Sequence, residues 1–226
     1  MSTSLQSEYS ITVLDREVVL RGDGSAFLPA YHALLLADLH LGKDASFRSE
    51  GVPVPAQINE RILQQLGESL RATQAKRLFI LGDLIHDRNS ITEKLTRLIA
   101  GWRQAFSSIE MDLVRGNHDR HVSGFPDSWN LSVAHRIVLD GLELMHEVTE
   151  SDLAKNEKLH VAGHLHPVAI LGRGADQMRL PCFVVGRRHI VLPAFGDFKG
   201  GRVQKRVRGT RLFPICDNQV ITRSFV

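Results

Sequence analysis

"ALLLADLH", residues 33–40, is the stretch whose reading decides the fold. Its apolar run is short, rich in leucine and closed by a sharp change to Asp38 and His40, which reads as a buried strand with polar residues at its end. The same pattern returns in "RLFILGD" (77–83), "MDLVRGNHD" (111–119), "LELMHE" (142–147) and "LHVAGHLH" (159–166). Two helix patterns lie between the first three runs. "PAQINERILQQLGESLRAT" (55–73) sets Ile58, Ile62, Leu66 and Leu70 on one face, with Pro55 suited to a first turn. "SITEKLTRLIAGWRQAF" (90–106) opens with Ser90 and Glu93 at capping-box spacing, and Leu95, Leu98, Ile99, Trp102 and Phe106 form its core stripe.

Beyond residue 130 helical periodicity fades. Short strand candidates take over at 131–139, 142–146, 158–162, 181–185, 189–193, 202–207 and 211–215. An α/β first half followed by a β-rich second half implies two sheets packed face to face with helices outside. At 226 residues, with no repeat and no linker rich in Pro, Gly and Ser, residues 1–226 are expected to form a single domain.

Composition narrows the classes. A hydrophobic fraction of 43% with 23% charged residues excludes wholesale disorder. The apolar runs are too short to span a bilayer, and the polar start "MSTSLQSEYS" lacks a secretion signal, so a cytoplasmic protein is expected. Cys182 and Cys216 lie far apart and outside any Cys-x-x-Cys pattern, which favours buried thiols over a disulfide. Net charge is +3, but the cations are unevenly placed: "KGGRVQKRVRGTR" (199–211) holds six Lys or Arg and no acid. It reads either as a solvated hairpin or as a surface for phosphate-rich partners.

The chemistry lies in the polar residues after the strands. Asp38 and His40 are two apart, as are His164 and His166; on an extended chain each pair projects to one side. Asp83 follows "FILG", Asn117 follows "LVRG" and His146 follows "LELM". Each alone reads more readily as a turn former, a cap or a satisfied histidine than as a ligand. Together these seven residues at five strand ends are all metal-binding types, placed where α/β sheets assemble their sites. Imidazole, carboxylate and amide oxygen without thiolate favour Zn, Fe, Mn, Ni or Mg. A carboxylate bridging two metals about 3.5–4 Å apart is the geometry of two-metal hydrolysis, in which an acidified water attacks phosphorus.

In order and spacing, "DLH" (38–40), "GD" (82–83), "GNHD" (116–119), His146 and "GHLH" (163–166) resemble the calcineurin-like metallophosphoesterases. "DLHLGK", the following "GVPVP" and "LPAFGDFKGG" (192–201) resemble, more narrowly, the DNA ligase-associated group of that superfamily. The resemblance implies a four-layer αββα sandwich with a dinuclear metal site at one edge. It assigns Asp38, His40 and His166 to one metal and Asn117, His146 and His164 to the other, with Asp83 as the bridge. His118 stays off both metals and meets the substrate phosphate as proton donor or transition-state stabiliser, while Asp119 shapes the turn. Two divalent ions, most often Mn²⁺, are the implied cofactors. The implied activity is hydrolysis of a phosphodiester by metal-activated hydroxide, on DNA during repair. An ATP-dependent DNA ligase and a helicase are the implied partners.

One motif departs from the family. Relatives commonly read GDxxDR, with the second Asp supporting the catalytic histidine; here the stretch is "GDLIHDR". His86 takes the expected Asp position, and Asp87 and Arg88 come one residue later. The shift leaves open whether Asp87 supports His118, His86 replaces it or neither does; His86 equally reads as lining the substrate cleft or as a cap near the start of the next helix. Glu147 is read as an acceptor for a ligating histidine or as a surface residue. Arg48, Arg88 and Arg120 are candidates for phosphate contact, or else surface ion-pair partners; His32, His121, His135, His160 and His189 are read as structural or exposed. A small-molecule or nucleotide phosphodiesterase or phosphatase is the alternative activity, and a catalytically silent scaffold the third reading.

Overall fold

The computed structural model describes residues 5–49, 51, 57–155, 157–172, 174–196, 201–205 and 207–222. The chain opens with strands β1 (Leu5–Gln6), β2 (Glu8–Val13), β3 (Arg16–Arg21) and β4 (Ala26–Leu28). Strands β5 (Ala33–Leu36), β6 (Arg77–Leu81) and β7 (Glu110–Val114) then alternate with helices α1 (Lys43–Ser49), α2 (Ile58–Thr73) and α3 (Glu93–Ala105). The remainder is strand-rich: β8 (Ser132–Ala134), β9 (Ile137–Leu139), β10 (Leu142–Leu144), helix α4 (Glu150–Lys155), β11 (Leu159–Ala162) and β12 (Val168–Leu171). It closes with β13 (Met178–Val185), β14 (His189–Val191), β15 (Arg211–Cys216) and β16 (Gln219–Ile221).

Two sheets result. One has the order β2-β3-β4-β5-β6-β7-β8, and β5 through β8 run parallel. The other has the order β1-β16-β15-β13-β14-β11-β10-β9, with β12 against β13. Alternate side chains build the layers. Leu35, Phe79 and Leu81 meet Leu144, Val161 and Phe183 between the sheets. Leu34, Leu36, Leu78 and Ile80 pack instead with Ile62, Leu66, Leu95 and Ile99 of the helices. Strands covered on both faces need apolar side chains at every position, since each buried one contributes about 1.5–3 kcal/mol. That is why β5 reads as a continuous run. On the outer side of the second sheet, Arg136 joins Glu143 of β10 (3.1 Å) to Asp152 of α4 (2.9 Å) and holds that helix in place. The architecture is the expected αββα sandwich.

Several boundaries differ from expectation. The first long helix starts at Ile58, and Pro55 lies outside the described residues. The second starts at Glu93 because Thr92, not Ser90, is its cap, its hydroxyl accepting from Leu95 N at 3.2 Å. Ser90 belongs to a separate turn, Arg88–Ser90. The strand expected at 202–207 is reduced to an isolated bridge between Val203 and Val168. Its backbone is engaged by the 165–168 loop: Arg202 N donates to Leu165 O, and Arg202 O accepts from Val168 N. The β2–β3 hairpin was legible but unread, since Ile11 and Val13 are buried while Ser10 and Thr12 are exposed. Leu14 and Asp15, both at positive φ, make its two-residue turn. Cys182 is buried, Cys216 is half-buried and both are free thiols; burial pushes Cys182 up to about 12, leaving it unreactive. No helix among the described residues is long and apolar enough to cross a membrane.

Candidate metal centre and active site

The five strands expected to carry the site are β5, β6, β7, β10 and β11, and all present their carboxyl ends to one edge of the sandwich. Asp38, Asp83, Asn117, His146 and His164 follow them in turn. Asp38, His40 and His166 form one group whose ligand atoms lie within 4.8 Å of one another. Asp83, His146 and His164 form a second. Asn117 joins the second group, with Oδ1 2.9 Å from His146 Nε2. Asp83 Oδ2 lies between the groups, 3.9 Å from His40 Nε2 and 3.6 Å from His146 Nε2. All seven predicted residues therefore converge.

Strand alternation is not what brings them together. Asp38 (φ 56°), His40 (φ 47°), Asp83 (φ 51°), His164 (φ 68°) and His166 (φ 42°) all have left-handed backbones. Asp38 and His40 stand in a turn beyond β5 rather than on an extended chain. Non-glycine residues held in this region cost on the order of 1 kcal/mol or more each, and such strain concentrates at functional sites. Close backbone approach completes the geometry. A Cβ on Gly116 would overlap Asp83 Oδ1, and one on Gly82 (φ 88°) would overlap the His146 ring.

Asp119 staples two of these turns. Its buried carboxylate accepts from Asp83 N (2.8 Å), Gly116 N (2.9 Å) and Ile85 N (3.4 Å). Burial raises its carboxyl above the usual range, while the three amides pull the other way. Its role in shaping the turn extends to the neighbouring loop.

The donor set fits divalent cations. His146 Nδ1 donates to Leu81 O at 2.9 Å, which leaves a lone pair on Nε2. That lone pair faces Asn117 Oδ1 at 2.9 Å and His164 Nδ1 at 3.0 Å. The Asn117 oxygen can only accept, so this lone pair and that oxygen repel each other unless a cation lies between them. In the other group His40 Nε2 and His166 Nε2 are 3.2 Å apart, and buried Asp38 Oδ1 has no hydrogen-bond partner among the described residues. Burial, with the charges of His166, His118, Lys43 and His86, depresses His40 to about 2, which favours its neutral form.

His118 stands outside these two groups, and its ring forms a third with His40 and His86, their ligand atoms within 4.8 Å of one another. Its backbone N donates to Asp83 Oδ1 at 2.9 Å, and its Nε2 lies 4.0 Å from Asp83 Oδ2. Its Nδ1 meets the backbone carbonyl of His86 at 2.6 Å, and the two rings stack with centroids 5.1 Å apart. The carboxylate of Asp87 instead caps the next turn, accepting from Asn89 N (2.6 Å) and Ser90 N (3.0 Å). The shifted "GDLIHDR" motif thus supplies a main-chain oxygen to His118, and its carboxylate serves the turn.

Arg88 and Arg120 are exposed on the two loops flanking His118. Arg48 pairs with Asp44 at 2.8 Å, which settles it as an ion-pair partner. Glu147 Oε1 lies 3.8 Å from His164 Nε2. Lys43, quoted above only within "DLHLGK", is the site residue that pattern reading passed over. Its charge reaches both His40 and His86, and burial lowers its own pKa. A lysine opening a helix carries no signal of that kind in sequence.

Comparison with known proteins agrees with this geometry. A family model described as calcineurin-like phosphoesterase matches residues 31–179. The crystal structure of Pseudomonas putida nuclease MPE is similar at a TM-score of 0.79 and 32% identity, covering 92% of this chain and 96% of that one. Yfce, a phosphoesterase from E. coli, aligns at 16% identity and a TM-score of 0.44, over 84% of this chain and 96% of that one. No curated protein matches the sequence. With a divalent-metal donor set at the strand ends and a family match over most of the chain, this protein belongs to the calcineurin-like phosphoesterases and is a metal-dependent phosphoester hydrolase.

Proposed function

We propose that the protein is a two-metal phosphodiesterase that cleaves DNA, working in repair in the cytoplasm. The observation that carries the two-metal reading is the position of Asp83 Oδ2, within 4 Å of nitrogens from both groups. In this reading Asp38, His40 and His166 would hold one metal and Asn117, His146 and His164 the other, with Asp83 shared between them. Mn²⁺ is the proposed ion, because the set mixes imidazole with carboxylate and amide oxygen and contains no thiolate. When bound, the pair supplies Lewis acidity toward a phosphoryl oxygen and lowers the pKa of water.

The protein's own groups then do the rest. His118 gives its Nδ1 proton to the His86 carbonyl as a hydrogen bond, which fixes the ring and points Nε2 at the cluster. With a second proton on the ring, Nε2 is placed to donate to the leaving oxygen or to a non-bridging one. His86, stacked on that ring, closes one side of it. Arg88, Arg120 and Lys43 supply positive charge around the phosphate.

The likeness to a protein described as a nuclease supports DNA as substrate, and so does the cation-rich 199–211 stretch. An ATP-dependent DNA ligase and a helicase are the proposed partners. The test is turnover by the purified protein with Mn²⁺ on an aryl phosphodiester, an aryl phosphomonoester and single- and double-stranded DNA. Cleavage of DNA and diester over monoester is expected. Aryl diester turnover without DNA binding or cleavage would overturn the DNA assignment and leave a small-molecule phosphodiesterase.

A further inference from the structure

The basic stretch does not stay at the metal centre. Strands β11 and β14 are parallel, with His160 opposite His189 and Ala162 opposite Val191. His164 and His166 follow Ala162 at one end of these strands; Arg187 and Arg188 precede His189 at the other. From His160 to the strand end at Ala162 the rise is roughly 7 Å at about 3.3 Å per residue, and His164 stands in the loop beyond it.

The described residues of the 201–210 segment connect the two ends. Arg202 N bonds to Leu165 O, beside the metal-centre histidines, and Val203 bridges to Val168. By Gly209 and Thr210 the chain has reached the opposite end. There Arg187, Arg188, His189, Arg208, Gly209 and Thr210 are among the residues that line a cavity of ≈ 460 Å³. Arg202, Lys205, Arg187 and Arg208 are exposed, and no acid interrupts the described part of the segment. A surface kept for solubility alone would intersperse both signs. Here guanidinium groups, which suit phosphate by their planar fork, converge on a concave site.

We infer that this arginine-lined cavity is an exosite for the phosphodiester backbone of a polynucleotide, with Arg202 and Lys205 tracking the strand between it and the metal centre. The inference rests on the reading of the substrate as a polynucleotide. It makes binding depend on length: a polynucleotide long enough to run from the metal centre to the cavity gains phosphate contacts that a mono- or dinucleotide at the metal centre does not.

The experiment uses the full chain and the double variant Arg187→Ala/Arg208→Ala, with a 20-nucleotide single strand and an aryl phosphodiester as substrates. The variant is expected to raise KM for the 20-mer about tenfold, with kcat within about twofold and aryl diester kinetics unchanged. The slope of log K against log salt for the 20-mer should fall by about 1.4, two phosphate contacts at about 0.7 each. Arg187→Lys/Arg208→Lys should recover most of the lost affinity. An unchanged KM for the 20-mer, or an equal rise for both substrates, would overturn the exosite. Wild-type protein that hydrolyses the aryl diester but neither binds nor cuts the 20-mer would overturn the polynucleotide reading itself, and the exosite with it.

Discussion

The imidazole of His118 is oriented by the main chain of His86: Nδ1 lies 2.6 Å from the carbonyl oxygen, under a stacked His86 ring. A carbonyl can only accept, so Nδ1 carries a proton and Nε2 is the nitrogen turned toward Asp83. It also makes the orienting contact independent of the side chain at position 86 and of the carboxylate at position 87.

This separates three variants. His118→Ala is expected to lose about 10²–10⁴-fold in kcat while retaining both metals, because its ring is absent from both ligand groups. Asp87→Ala should cost far less, through the loosened Arg88–Ser90 turn. His86→Ala should fall between them, losing the stacked ring but keeping the carbonyl. Turnover of an aryl diester with parallel metal analysis tests the order.

Asn117→Ala and His146→Ala are expected to weaken the second metal and spare the first. Metal content after dialysis should drop toward one per chain. His146 also donates to Leu81 O, so its loss should cost more stability than that of Asn117.

Chelation should lower thermal stability. A metal held at about 100 times its dissociation constant stabilises by about 2.7 kcal/mol. For a chain of this size that corresponds to a fall in Tm of about 5–10 °C on removal. Calorimetry with and without chelator measures it, and Asp83→Ala should shrink the difference sharply.

Asp119→Ala leaves the amides of Asp83, Gly116 and Ile85 without their buried acceptor. At about 1–3 kcal/mol for each unsatisfied donor, destabilisation of about 3 kcal/mol or more is expected. Activity should fall with it, although Asp119 is not among the ligand groups. Urea unfolding and metal content distinguish this from direct ligand loss.

Acid should loosen the outer helix. Asp152 is lowered from 3.8 to about 2, first by the Thr149 hydroxyl (2.6 Å), with the Thr149 amide and Arg136 also contributing. Because the folded pKa is depressed, this stabilisation is complete above pH 4 and is lost as pH falls toward 2. Asp152→Asn should therefore unfold more readily at pH 6, by about 1 kcal/mol, with little difference from wild type near pH 2.

The sequence by itself carried the architecture and the cast of the site. Runs such as "ALLLA" are apolar at every position because both strand faces are covered, and that periodicity survives in one dimension. Asp38, His40, Asp83, Asn117, His146, His164 and His166 were legible because each ends such a run. Tertiary structure decided what periodicity cannot encode. The left-handed backbones of Asp38, His40, Asp83, His164 and His166, the staple through Asp119 and the capping role of Asp87 depend on loops from different strands meeting. The support for His118 was illegible for a more basic reason. It comes from a backbone carbonyl, which every residue possesses, so no choice of side chain at position 86 announces it.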